Sequence, residues 1–94
     1  MSDAEVRDDQ AGSRFILQQE GQVSELVYRI EPERLVLVHT GVPEKLEGRG
    51  IGGRLVQAAL ERALAEGRTV VPSCPFARRW IASHPDAAHD IVVV

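Results

Sequence analysis

A single cysteine, Cys74, stands in a chain of 94 residues, so no internal disulfide can form, which agrees with a reducing compartment. No apolar run approaches the ~18 residues that a membrane-spanning helix needs. Residues 1–9 are mostly polar and acidic and carry no signal-type apolar core. A cytoplasmic protein with no membrane partner is therefore expected. Excess basic charge is missing too, since 11 Lys and Arg face 14 Asp and Glu, for a formal charge of −3. Without a basic field there is no counterion release to hold DNA or RNA, and nucleic acid is not an expected partner. No metal centre is expected either. His39, His84, His89 and Cys74 are scattered, and His84 and His89 are not backed by the cysteine pair that structural zinc sites use.

What is present is enough for one small folded domain: 44% of the residues are hydrophobic, an ordinary globular content. Residues 1–12 are acidic and aperiodic and read as a disordered tail, leaving residues 13–94 as a single domain. Phe15 and Leu17 alternate with Arg14, Ile16 and Gln18, and Gly21 then marks a turn into a second arm over residues 23–30, a hairpin pattern. In that arm Leu26, Tyr28 and Ile30 share one face, and Val27 and Arg29 the other. Pro32 breaks it. Residues 34–42 run through Leu35, Val36, Leu37 and Val38 almost without polar interruption, the pattern of a strand covered on both faces.

A helix follows over residues 50–66. Ile51, Leu55, Ala59 and Ala63 recur every four residues, Val56, Leu60 and Leu64 widen the stripe, and Gly67 ends it. Residues 68–72 form a strand parallel to the previous one, because a helix crosses between them. Ser73 or Cys74 caps a second, shorter helix with Pro75 at its first position, and His84 and Pro85 stop it. Residues 91–94, Ile-Val-Val-Val, suggest a last edge strand.

The most informative stretch is residues 47–54, Glu-Gly-Arg-Gly-Ile-Gly-Gly-Arg, a glycine-rich turn entering the long helix. Such a turn lets backbone amides converge, and the start of a helix adds unpaired N–H groups and partial positive charge, so an anion site is expected there. A P-loop is excluded because no Gly-x-x-x-x-Gly-Lys-Ser/Thr string exists. Gly48, Gly50 and Gly53 spell a dinucleotide fingerprint, but the next strand supplies no acidic residue for a ribose and the chain is too short for that fold.

Residues 42–52, with Leu55 a turn later, resemble motif A of the GNAT superfamily of N-acetyltransferases, in which a strand, a glycine loop and a helix bind the pyrophosphate of acetyl-coenzyme A. Residues 71–76 with Trp80, Ile81, His84 and Pro85 are similar to a short single-domain branch of that superfamily with a Pro-x-Cys segment. The two blocks span about half the chain. Glu47 departs from the pattern, which has Gln or Arg at that position.

The resemblance implies an α+β, minimal GNAT-like fold: a mixed, mainly antiparallel sheet of about four to five strands, one long central helix and one shorter C-terminal helix. It implies a cofactor site of Thr40, Gly41, Val42, Gly48, Arg49, Gly50, Ile51, Gly52, Gly53, Arg54, Phe76 and Arg79. It implies acetyl-coenzyme A and an amine acceptor, small molecule or protein, as partners of a monomer.

Three residues are candidates for the chemistry. Cys74, at a helix start with Arg78 and Arg79 one turn on, has surroundings that lower a thiol pKa, and is either an acetyl-accepting nucleophile or a pocket wall. His39, alternating with Leu37 and Leu35 on one sheet face, suits a general base. Glu44 competes for that role. Two functions of different class remain open at this point: an acetyl-coenzyme A-dependent N-acetyltransferase, and a coenzyme A-binding module without turnover. A purely structural interaction domain is the third and weakest.

Overall fold

The computed structural model describes residues 5–94. Five strands form one sheet in sequence order: β1 (Val6–Asp9), β2 (Arg14–Gln19), β3 (Gln22–Ile30), β4 (Arg34–Gly41) and β5 (Thr69–Pro72). The first four are antiparallel neighbours and β5 runs parallel to β4. Between β4 and β5 the chain passes through a short turn, Glu44–Leu46, and helix α1 (Ile51–Glu66); helix α2 (Pro75–Ser83) follows β5. This is the mixed, mainly antiparallel sheet with one long and one short helix that the resemblance implies. No helix among the described residues is long and apolar enough to cross a membrane.

The period of two decides which side of the sheet is covered. Phe15, Leu17, Leu26, Tyr28, Leu35 and Leu37 are buried on one face, against Leu55, Val56, Ala59, Leu60 and Ala63 of α1. The β2–β3 connection is a two-residue turn in which Glu20 (φ 54°) and Gly21 (φ 74°) are both left-handed, the geometry that matches strand twist. Gly67, at φ 68°, closes α1 by donating to carbonyls of its last turn.

Three local expectations need correction. Residues 5–12 are not a loose tail: Val6–Asp9 is a strand paired with β2, while residues 1–4 of the expected tail lie outside the described residues. Only Val6 supplies an apolar side chain, so hydropathy gives no sign of it. The strand is held instead by polar bonds: Tyr28 Oη donates to Asp8 Oδ1 (2.7 Å), and Arg62 donates to Asp8 Oδ2 (2.8 Å) and to Tyr28 Oη (2.7 Å). Burial, aided by the bond to Asp8, raises the Tyr28 pKa, so the phenol stays a donor. Asp8→Ala removes an acceptor from both partners and should cost about 1–2 kcal/mol, read as a fall in the thermal midpoint; Asp9→Ala, at a more exposed ion pair with Arg14, should cost less.

The second correction concerns β4, which is not covered on both faces throughout. Leu35, Val36 and Leu37 are buried, but Val38 is 41% exposed, because the β3–β4 register shifts between Val27 and Tyr28 and leaves Val38 without a partner. The third concerns residues 91–94, which make only a single parallel bridge to β5, Val70 with Val93, rather than a full strand.

Candidate active site

The end of β4, the glycine turn and the start of α2 surround a cavity of about 680 Å³ lined by Thr40, Gly41, Val42, Glu47, Gly48, Gly50, Ile51, Gly52, Gly53, Phe76 and Trp80. Nine of the twelve cofactor-site residues expected from the sequence are in that set. Arg49, Arg54 and Arg79 are not. Arg49 donates to Glu20 Oε2 at 2.7 Å, tying the glycine turn to the β2–β3 hairpin tip. Arg54 lines an adjoining cavity of about 700 Å³, which also touches Glu5, Gln57, Glu61 and His84 and shares Gly50, Gly53 and Trp80 with the first. Arg79 is an exposed residue of α2 lining neither cavity.

Gly50 is the residue before α1, in the left-handed region (φ 77°, ψ 13°), and Gly48 has φ 84°. Both conformations favour glycine. The first intrahelical bond is Arg54 N–H to Gly50 C=O, and no side chain caps the helix. The amides of Ile51, Gly52 and Gly53 therefore start α1 without helical partners, beside the cavity, at the positive end of a helix of 16 residues.

Gly52 and Gly53 have a different reason to be glycine. A Cβ on Gly52 would lie 2.6 Å from Phe76 Cζ, and one on Gly53 would lie 2.3 Å from Trp80 Nε1. The rings of α2 thus pack directly on the backbone of the first turn of α1. Sequence reasoning included Phe76 in the cofactor site but not Trp80. The signal was available in Gly52 and Gly53, two more glycines than a turn requires. Trp80 in turn stacks on His84, ring centroids 4.0 Å apart and planes within 10°, and His84 Nδ1–H donates to the Trp80 carbonyl at 2.8 Å.

The three candidate catalytic residues are not gathered at one point. Cys74 precedes α2 and is 3% exposed, with its thiol 3.3 Å from Thr40 Oγ1. It does not line the cavity, although Thr40 and Phe76, which both hydrogen-bond its sulfur, do. Burial alone would raise its pKa, but hydrogen bonding from the Thr40 hydroxyl and from the amides of Ala77, Phe76 and Thr40 outweighs that and lowers it. The thiolate is therefore favoured at a lower pH than in a free cysteine. Thr40→Val removes the hydroxyl and should move the titration of the thiol to higher pH, followed by ultraviolet thiolate absorbance against Cys74→Ser.

His39 is on the opposite face of the sheet. The register shift at Val38 breaks its alternation with Leu35 and Leu37: Thr40 pairs with buried Leu26 on the helix side, whereas His39 pairs with Val27 in a row that continues to Arg14 and Asp9. Glu44 is exposed at the start of the short turn after β4.

A strand, a glycine turn and an uncapped helix beside a cavity form an α+β arrangement whose helix-start amides are able to take up an anion. The family model described as GCN5-related N-acetyl-transferase matches residues 14–91, and the chain belongs to that family of acetyltransferases. Among solved structures, the chain is similar to a GCN5-like protein from Staphylococcus aureus determined in solution by NMR. The two are 29% identical with a TM-score of 0.74, over 100% of this chain and 91% of that one. Comparison with curated proteins finds no match.

Proposed function

We propose that the chain transfers the acetyl group of acetyl-coenzyme A to an amine, small or carried on a peptide or protein, and does so as a cytoplasmic monomer. The observation that carries this reading is the uncapped start of α1 opening on the 680 Å³ cavity under two left-handed glycines. The amides of Ile51, Gly52 and Gly53 would bind the pyrophosphate, with the helix dipole favouring its charge. β4 runs on to Gly41 past Leu37, its last residue paired with β5; the Thr40 amide there bonds to Cys74, and the other backbone groups of residues 38–41 would meet the amide groups of the pantetheine arm. Thr40 and Phe76 would wall the thioester end. The chemistry supplied by the coenzyme is an activated acyl group. The amine nitrogen bonds to the acetyl carbon, the carbon–sulfur bond breaks, and the departing sulfur takes up the proton that the amine gives up. His39 or Glu44 would relay that proton.

Direct transfer is favoured over a covalent relay on Cys74, because Cys74 is buried and does not line the cavity. On this reading Cys74 is a wall residue whose charge state is set by Thr40. A second reading, a coenzyme A-binding module without turnover, draws support from Glu47 on the cavity surface and from the separation of Cys74, His39 and Glu44. Release of coenzyme thiol from acetyl-coenzyme A over a panel of amines separates the two. Amine-dependent release is expected; binding of acetyl-coenzyme A with no release on any amine would leave the module reading.

A further inference from the structure

The β2–β3 tip and the end of β4 lie at the same end of the sheet, because β3 and β4 are antiparallel, and this brings Glu20 to the glycine turn. Arg49 Nη1 donates to Glu20 Oε2 at 2.7 Å. Arg49 is flanked by Gly48 and Gly50, which both line the proposed coenzyme cavity, yet its side chain is drawn to the hairpin instead. We propose that this pair is a latch on the coenzyme site. Glu20 holds Arg49 until the coenzyme binds, and a phosphate of the coenzyme then takes Arg49 over. Competition from Glu20 sets a weaker affinity than the turn alone would give. The proposal rests on the coenzyme reading of the site and adds to it a residue that tunes binding.

Two observations favour a latch over a staple that merely pins the turn. The first is the backbone of Glu20. At φ 54° it occupies the first position of a two-residue left-handed turn, where Asn, Asp or Gly fits best and a longer side chain gains nothing locally. A residue set against its local geometry points to a role elsewhere, and the side chain of Glu20 reaches to Arg49. The second is exposure. The side chains of Arg49 and Glu20 are 43% and 48% exposed, and ion pairs in that setting add little to stability, so the pair is easily exchanged. A pyrophosphate offers more charge than one carboxylate, and several oxygens in the fork geometry that a guanidinium prefers, which makes the coenzyme the stronger partner. The hydrogen bond from Arg49, with Lys45 nearby, holds the Glu20 carboxyl below the usual carboxylate range, so Glu20 is an ionised competitor at neutral pH. It is a positioning residue, acting on the coenzyme through Arg49.

Titration calorimetry of the full chain with acetyl-coenzyme A, at low and at physiological salt, is the test. Glu20→Gln keeps the length of the side chain and the turn but removes the charge. It should tighten binding about threefold to fivefold and make the salt dependence steeper, because Arg49 then meets the phosphate unopposed. Glu31→Gln removes the same charge from an exposed pair with Arg29 at the other end of the sheet and should change neither quantity. In an Arg49→Ala background the gain from Glu20→Gln should shrink below about twofold. Glu20→Asn, which suits the turn and also lacks the charge, should tighten binding and raise the thermal midpoint. Unchanged or weaker binding in Glu20→Gln, or an equal gain with Arg49 absent, would overturn the latch while leaving the coenzyme reading intact. Tightening without amine-dependent release of coenzyme thiol would keep the latch and leave the binding-module reading. No binding in the parent chain or any variant would remove both.

Discussion

Gly50→Asp is expected to weaken acetyl-coenzyme A binding by about 30-fold in titration calorimetry, while Gly50→Asn weakens it only a few-fold. Gly50 has φ 77°, so any side chain there adopts the left-handed region, which Asp and Asn tolerate better than other residues. The backbone cost of the two variants is therefore similar, and each should lower the thermal midpoint by only a few degrees. They differ in charge. An aspartate placed where three uncapped amides converge competes for those donors and repels a pyrophosphate, replacing charge-assisted bonds worth about 1.5–3 kcal/mol. If the turn were only a strand-to-helix connection, neither variant would alter binding. Equal losses in both would point to strain in the backbone rather than to an anion site.

The second large effect is on stability and has the opposite sign to the usual one. In an ordinary helix interior, Gly→Ala stabilises by about 1 kcal/mol. At Gly53 it should instead destabilise by about 1–3 kcal/mol, because the new methyl would stand 2.3 Å from Trp80 Nε1 and force α2 away from α1. For a domain of this size that is a fall of about 10 °C in the thermal midpoint. The cause can be isolated with a double-mutant cycle. Once Trp80→Ala has removed the ring, Gly53→Ala should become neutral or stabilising, and the coupling between the two sites should be of the size of the original loss. The same substitution should also disturb acetyl-coenzyme A binding, because Trp80 and Gly53 both line the cavity. An unchanged or raised midpoint in the single variant would show that the rings do not rest on the helix backbone.

The legible parts of this fold were those where one local signal suffices. The turn at Gly21, the continuous apolar stretch Leu35–Leu37, the four-residue recurrence Ile51, Leu55, Ala59 and Ala63, and the closing Gly67 each carry their geometry in the sequence. What stayed hidden depends on partners far along the chain. β1 is bound through Asp8 to Tyr28 and Arg62, 20 and 54 residues away, and four residues with one apolar side chain give no period to detect. The bulge at Val38 is likewise a property of the β3–β4 pair. Missing it puts His39 on the wrong face of the sheet, a one-residue slip that reverses every side chain beyond it. The glycine turn and the helix start behind it were legible because both are local features. The division of labour within it was not: Gly48 and Gly50 provide the turn, whereas Gly52 and Gly53 make room for rings more than 20 residues on.

The most direct test of the account is a titration of the isotope-labelled chain with acetyl-coenzyme A followed by amide resonances in solution. The prediction is saturable shifts centred on Gly48, Gly50, Ile51 and Gly52, with smaller ones at Thr40 and Gly41 and at the Trp80 indole N–H. Shifts confined to other surfaces, or none at all, would contradict it, and the cavity at the start of α1 would then not be the coenzyme site.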